Sequence, residues 1–363
     1  MQKHVFLFII LLAFICSCSN NNQKKVKVLF KPKGDLILTD QLRFTDTNRV
    51  FIGNVRDLIT IGNKIYYSDR SNFKIHSFDQ KLNYIKSSAG FGRGPGEFLS
   101  APFLADDFDT LVCYEPGINK LEYLDSNFQI VKTITPPPNY LTDLSSRPVF
   151  RTSEILISAF NKFLFNRKDI SDITTALLID YNGIDIKNFC PFNKVYDGKT
   201  NIAYYNSMET SLVANGFNDT YFVLQMATND LYQYDSSGTY LRTLYYKPKY
   251  YKNPPTYTTN ELRQLSNEDR YKVYTSQITF FKSLYFDAKN NLLYLNYNNS
   301  KIEQLYSRSL LDTENYLAVF DSTYKCIYDN KLEGIMFDVN DGIIYTLISE
   351  NPLIINKYYI WEK

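Results

Sequence analysis

The chain has 363 residues, with 40 Lys and Arg against 38 Asp and Glu, for a formal charge of +2. That balance provides no broad electrostatic footprint for nucleic acid or for an anionic membrane. With 44% hydrophobic and 16% aromatic residues the chain can bury a large core, which excludes wholesale disorder.

Residues 1–20 read MQKHVFLFIILLAFICSCSN: one lysine, an apolar run from Val5 to Ile15, then small residues and cysteine. The run is too short to span a bilayer as a permanent helix and has the build of an export signal. Ile15-Cys16-Ser17-Cys18 resembles the bacterial lipoprotein signal, and the resemblance implies cleavage before Cys18 and acylation of Cys18. Residues 1–17 are then a removed signal peptide, and 18–30 a lipidated, polar tether. Removal of the signal takes away Lys3 and leaves a formal charge of +1. It also takes away His4, so that His76 is the only histidine of the exported chain. A Ser-His-Asp triad or a multi-histidine zinc site would have to be built on that single residue. His76 lies in the alternating stretch Phe73–Phe78, which suits a structural strand residue. Cys113, Cys190 and Cys326 sit singly within or beside apolar segments and read as buried free thiols rather than a disulfide framework.

From residue 63 onward the sequence repeats itself. Asn63–Asp69, Lys74–Asp79 and Asn83–Lys86 superpose on Asp109–Glu115, Lys120–Asp125 and Phe128–Lys132. Weaker copies follow at 155–183, 221–238, 292–321 and 343–361. An Asp ends the third strand of five copies, at 79, 125, 180, 235 and 321. Units of about 40–50 residues with four alternating strands have the size of propeller blades, and six copies predict an all-β, six-bladed propeller over 31–363. The excess of Tyr (31) and Phe (26) over Trp (1) suits its strands. Insertions break the pattern twice: at Asn161–Thr175, and at about 254–280, where Thr258-Thr259-Asn260-Glu261 has a capping-box spacing and predicts a helical stretch through Tyr274. The segments around Leu36–Leu38 and Val50–Ile52 precede the first copy and are expected to lend an outer strand to the last blade.

Gly90-Phe91-Gly92-Arg93-Gly94-Pro95-Gly96-Glu97-Phe98, followed by Ala101-Pro102-Phe103, resembles the NHL-repeat linker. More closely it is similar to the six-bladed β-propeller lipoproteins of Bacteroidetes. The glycines would turn the chain from one blade to the next while Phe98 plugs the gap between them.

The propeller arrangement gathers the loops between second and third strands on the face that also carries the blade-to-blade linkers. Candidate ligand contacts there are Asp69, Arg70, Asn72, Arg93, Glu97, Glu115, Asn119, Asn229, Asn298 and Glu350. These Tyr- and Asn-rich loops suit a protein, peptide or glycan ligand. No nucleophile elbow, histidine cluster or cofactor motif appears, which favours a binding or scaffold protein, anchored in the cell envelope with the outer membrane facing the periplasm as the expected site. The alternative is a lactonase-like hydrolase or lyase with calcium or another divalent cation in the channel, for which Asp69 and Glu115 are the candidate ligands.

Overall fold

The structure is a computed structural model that describes residues 25–44, 52–94, 96–115, 118–142, 146–161, 172–193, 211–225, 228–253, 259–266, 277–300 and 313–362, with 255, 257, 268, 269 and 272. Two strands open it, β1 (Lys25–Lys27) and β2 (Gly34–Phe44). Blade 1 is β3 (Val55–Ile61), β4 (Lys64–Asp69), β5 (Ile75–Asp79) and β6 (Tyr84–Ser87). Blade 2 is β7 (Phe103–Asp107), β8 (Thr110–Glu115), β9 (Lys120–Leu124) and β10 (Ile130–Ile134). In blade 3 two short strands, β11 (Tyr140–Thr142) and β12 (Val149–Phe150), share the innermost place beside β13 (Ile155–Asn161), β14 (Thr174–Ile179) and β15 (Asp185–Pro191). Blade 4 is β16 (Ser211–Gly216), β17 (Thr220–Gln225), β18 (Asp230–Tyr234) and β19 (Tyr240–Tyr245), and a short helix, α1 (Thr259–Gln264), follows. Blade 5 is β20 (Thr279–Asp287), β21 (Leu292–Ser300), β22 (Thr313–Phe320) and β23 (Cys326–Leu332). Blade 6 is β24 (Ile335–Asn340), β25 (Ile343–Glu350) and β26 (Leu353–Glu362), completed by β2.

The innermost strands of successive blades touch one another, and β24 touches β3, so the six sheets close into a ring. Packing explains why the second strands read as nearly continuous apolar runs: each blade is buried on both faces. In β13, Ile155, Ile157 and Ala159 pack towards blade 2, whereas Leu156 packs towards blade 4. Six apolar clusters result, one at each blade interface. Phe98 is fully buried in the cluster between blades 1 and 2, where it contributes roughly 2–3 kcal/mol. Cys113, Cys190 and Cys326 are buried free thiols, as expected.

The five repeated aspartates turn the third strand into the fourth. In each hairpin one carboxylate oxygen accepts the N–H groups two and four residues on: Lys81 and Asn83 at Asp79, Asn127 and Gln129 at Asp125, Asn182 and Ile184 at Asp180, Ser237 and Thr239 at Asp235, Thr323 and Lys325 at Asp321. The residue three places on takes positive φ: Leu82, Phe128, Gly183, Gly238 and Tyr324. That residue docks on the preceding blade. Leu82 and Phe128 fill apolar gaps there, whereas a Cβ on Gly183 would stand 2.3 Å from the Thr135 carbonyl oxygen of blade 2.

The sequence reading did not foresee β1, which lies within the expected tether 18–30 and whose Lys25–Lys27 pairs with Thr243–Tyr245 as a fifth, parallel strand of blade 4. Of the expected helical stretch through Tyr274, α1 is Thr259–Gln264 and Glu268, Asp269 and Lys272 are helical too, while residues 267, 270, 271 and 273–276 lie outside the described residues; the expected strand at Val50–Ile52 lies largely outside them as well, and Ile52 is irregular. Of the insertion 161–175, residues 162–171 lie outside the described residues.

Two predictions follow from the hairpins. Gly183→Ala, strained by φ and by the Thr135 oxygen, should cost about 2 kcal/mol or more in denaturant melts. Gly62→Ala, with positive φ but nothing within 4 Å, should cost only about 1 kcal/mol; equal losses would show that this turn does not dock. Asp79, Asp180, Asp235 and Asp321 have carboxyls held below the usual range; the Asn83 side chain does so first at Asp79 and the Ile184 N–H at Asp180, while at Asp235 and Asp321 the neighbouring hydroxyls and N–H groups outweigh a burial effect of opposite sign. Their contribution is present above the unfolded value of about 3.9 and is lost as pH falls through the lower folded values. The melting temperature should therefore fall below about pH 4, and less steeply when these four are Asn.

Candidate functional site

The strand ends that carry the blade-to-blade linkers also bound the longer connections 88–102, 162–173, 192–210, 246–278 and 301–312, of which 162–171, 194–210, 301–312 and parts of 246–278 lie outside the described residues. On the opposite face the hairpins are short, for example 62–63, 108–109, 235–239 and 341–342. The second strand of each blade ends at the long-loop face, which is where most of the sequence-predicted residues lie.

Several of these residues are spent on the backbone. Asp69 is buried; its Oδ2 accepts the Gly53 N–H at 2.7 Å and its Oδ1 the Ser71 N–H at 2.7 Å. Burial alone would raise its pKa, yet His76, with Nε2 3.5 Å away, and those two N–H groups hold it below the usual value. His76 is itself buried, with Nδ1 2.7 Å from Ser87 Oγ. Glu115 accepts the Leu99 N–H at 3.0 Å, and burial raises its pKa. Glu350 accepts the Val55 N–H at 3.0 Å across the interface between blades 6 and 1. These acids cap the incoming innermost strands, whose first N–H groups lie beyond the sheet ladder. Glu97 folds back to accept the Gly94 N–H at 2.6 Å, and a Cβ on Gly92 would collide with it at 1.9 Å. Asn72 accepts the Lys74 N–H at 3.0 Å, and the Asn119 Oδ1 lies 3.4 Å from the Tyr114 hydroxyl. Asn229 offers its carbonyl to the Tyr246 N–H. Asn298 is buried in blade 5, and its Oδ1 has no hydrogen-bond partner among the described residues. Cys18 lies outside the described residues.

Arg70 and Arg93 keep exposed side chains. Glu350 supports the charge of Arg70 against a burial effect that lowers its pKa. Phe91, 66% exposed, lies 5.6 Å from Phe73, centroid to centroid. Arg70, Phe73, Phe91 and Arg93 thus give the blade 1 sector an aromatic and cationic surface. Sequence reading missed the two phenylalanines, because Phe91 looked like part of a glycine turn.

The channel holds a second missed residue. The innermost strand of blade 3 is split: β11 pairs with Ala159–Asn161 and β12 with Ile155–Leu156. Pro148 has no N–H for the ladder, and the break beside it lets Ser146 and Arg147 leave the strand. Arg147 crosses the ring. Its Nη1 donates to Asp338 Oδ1 of blade 6 at 2.9 Å, its Nη2 to Asp57 Oδ1 of blade 1 at 2.9 Å and to the Leu58 carbonyl, and its guanidinium lies 5.4 Å from the Tyr285 ring centroid of blade 5.

Asp57 and Asp338 follow β-bulges in β3 and β24. Their other oxygens cap the next blade: Asp57 Oδ2 accepts the Leu104 N–H at 2.8 Å, and Asp338 Oδ2 accepts the Thr60 N–H and hydroxyl at 2.7 Å each. Burial works against the charge on Arg147, but Asp57, Tyr285 and Asp338 outweigh it and raise its pKa further. Towards the short-hairpin face, burial and then Asp109, Asp338 and Asp107 push Asp106 up to about 6. Among the described residues no three His, Cys, Asp or Glu side chains converge as around a metal ion.

No family model matches the sequence, and no curated protein does. Solved structures do share the fold. A member of the DUF4221 family from Bacteroides vulgatus is 13% identical, with a TM-score of 0.64 over 91% of this chain and 99% of that one. A candidate exported protein from Bacteroides fragilis is 13% identical, with a TM-score of 0.58 over 93% of this chain and 99% of that one. At that identity the likeness is one of fold.

Removing Arg147 should leave two poorly solvated carboxylates facing each other. Arg147→Met is expected to lose about 3 kcal/mol in chemical denaturation, and Asp57→Asn with Asp338→Asn in the same chain should restore part of it. A single Arg147→Met variant as stable as the parent would remove the cross-channel tie from the account.

Proposed function

We propose that this protein is a lipid-anchored recognition propeller of the bacterial envelope that binds a protein, peptide or glycan on its long-loop face. One observation carries the reading: connections 88–102, 162–173, 192–210, 246–278 and 301–312 all leave the blades at one end, while the other end is closed by tight hairpins. A scaffold that places its lengthened segments on one side of a rigid ring has the general form of a binding surface. Arg70, Phe73, Phe91 and Arg93 supply flat aromatic area and guanidinium donors there, which suit carbohydrate rings or peptide carbonyls and carboxylates.

Export and anchoring rest on residues 1–18, whose pattern matches a lipoprotein signal. The Bacteroides fragilis protein of the same fold is itself a candidate exported protein, which is in keeping with that reading. The carboxylates of Asp69 and Glu115 that a channel metal would use already accept the Gly53, Ser71 and Leu99 N–H groups, and among the described residues no three His, Cys, Asp or Glu side chains are grouped to hold an ion. The two carboxylates in mid-channel already share Arg147.

Two measurements test the proposal. In cells fed an alkynyl fatty acid, the chain should be labelled and Cys18→Ala should not; an unlabelled parent would remove the anchor. On arrays of envelope polysaccharides and peptides, Phe91→Ala with Arg93→Ala should reduce binding roughly tenfold or more while the melting temperature holds. Ligand that still binds this variant, and is lost instead when the short-hairpin face is altered, would refute the assignment of the face.

A further inference from the structure

The N-terminal segment is a strap that runs round the rim of the ring. Lys25–Lys27 extends blade 4, and the Val28 N–H bonds to the Tyr245 carbonyl. Leu29 accepts the Cys326 N–H, while the Lys31 and Lys33 N–H groups donate to the Cys326 and Ile327 carbonyls of blade 5. The strap then becomes β2 of blade 6. Its inward side chains are accounted for: Val26 and Val28 pack into the cluster between blades 4 and 5.

The outward ones are not explained by folding. Leu29 is 62% exposed and Phe30 51% exposed, on a backbone already hydrogen-bonded to the blade beneath. Lysines flank them: Lys27 and Lys31 are exposed, Lys33 is half-buried, and Lys25 keeps 60% of its side chain in solvent while lying 3.7 Å from Asp230. Two large apolar side chains held rigidly in water between cations have the composition of an interfacial anchor, where the rings and aliphatic groups enter the acyl boundary and the lysines meet phosphate.

We propose that this strap, Lys25–Lys33, is a membrane-contact surface that lays the rim of blades 4 and 5 against an anionic phospholipid bilayer. The proposal rests on the anchor reading in one respect. Six residues separate Cys18 from Lys25, and even fully extended they reach only about 25 Å, so a lipidated Cys18 would hold the strap close to the headgroups. Contact along the rim leaves both ends of the channel, and with them the long-loop face, open to solution.

The test removes the acyl chain so that the surface is measured alone. The chain without its first 17 residues and carrying Cys18→Ser is mixed with vesicles of phosphatidylethanolamine and phosphatidylglycerol, or with vesicles of phosphatidylcholine alone, and pelleted. Binding to the anionic vesicles at low salt is expected, with loss in high salt. Leu29→Ser with Phe30→Ser should weaken it roughly tenfold with an unchanged melting temperature, and Lys27, Lys31 and Lys33 changed to Gln should do the same. The proposal is overturned if the parent ignores anionic vesicles. It is also overturned if the Ser variant binds equally well, or if the patch instead drives dimerisation that the Ser variant abolishes. Since no lipid is attached in this experiment, absence of fatty-acid labelling at Cys18 in cells would count against the anchor and leave this result standing.

Discussion

The structure depends on the pairing of β2 with β26, which joins Gly34 to Glu362 and Phe44 to Leu353. A propeller blade is a sheet buried on both faces, so an open ring would leave the apolar flanks of its two end blades in water and its last sheet short of an outer strand. The chain meets this constraint by lending its own beginning to its end. Leu42 and Phe44 of β2 then enter the cluster between blades 6 and 1, together with Val55, Ile65 and Leu347. Arg147 adds a second tie at the centre, from blade 3 to blades 6 and 1. Closure at the rim and closure at the axis address the same weakness, because ring opening must break both.

This arrangement divides the polar residues by task. Carboxylates at strand ends could serve either a ligand or the backbone, and here geometry favours the backbone. The innermost strand of each blade begins where the ladder has not yet started, so its first N–H groups need acceptors that the sheet cannot supply. Asp69, Glu115 and Glu350 supply them. Asp57 and Asp338 do the same one layer deeper, from bulges that aim them sideways at the next blade. The side chains left over from this backbone work include Arg93 and Phe91, both exposed at the end of the ring where the longer connections begin.

The repeat was legible because it is enforced locally. An Asp whose carboxylate closes its own hairpin recurs wherever that hairpin does, and β-strands buried on both faces announce themselves as apolar runs. The plug at Phe98 was legible for a similar reason: glycines around one large apolar residue imply a tight crossing that ends in a core. Arg147 was not, since nothing within its own segment says that a strand is interrupted and that the side chain will meet residues 90 positions before it and 191 after it. The backbone duties of Asp69 and Glu115 were hidden likewise, because polar residues at loop positions read as available until the N–H groups facing them are known. The strap escaped notice because Lys25–Lys27 has no strand pattern of its own; its register comes from the β19 edge.

The order of the chain adds a kinetic consequence. β2 and β26 lie further apart in sequence than any other paired strands described, so their pairing carries the largest loop-closure cost among them. The four antiparallel strands of blades 1, 2, 4 and 5, and the strands of blade 3, each come from contiguous chain, with only β1 added to blade 4 from afar, whereas blade 6 cannot be completed until residue 362 is available. Until β2 pairs with β26, the strands β24, β25 and β26 make a three-stranded sheet with an unpaired edge. The segment tied down at that final step is continuous with the strap that carries Leu29 and Phe30. Ring closure fixes the end of the strap at Gly34, whereas the strap's own bonds to Tyr245, Cys326 and Ile327 need only blades 4 and 5, so the outward setting of Leu29 and Phe30 follows from the docking of those two blades and not from the final pairing.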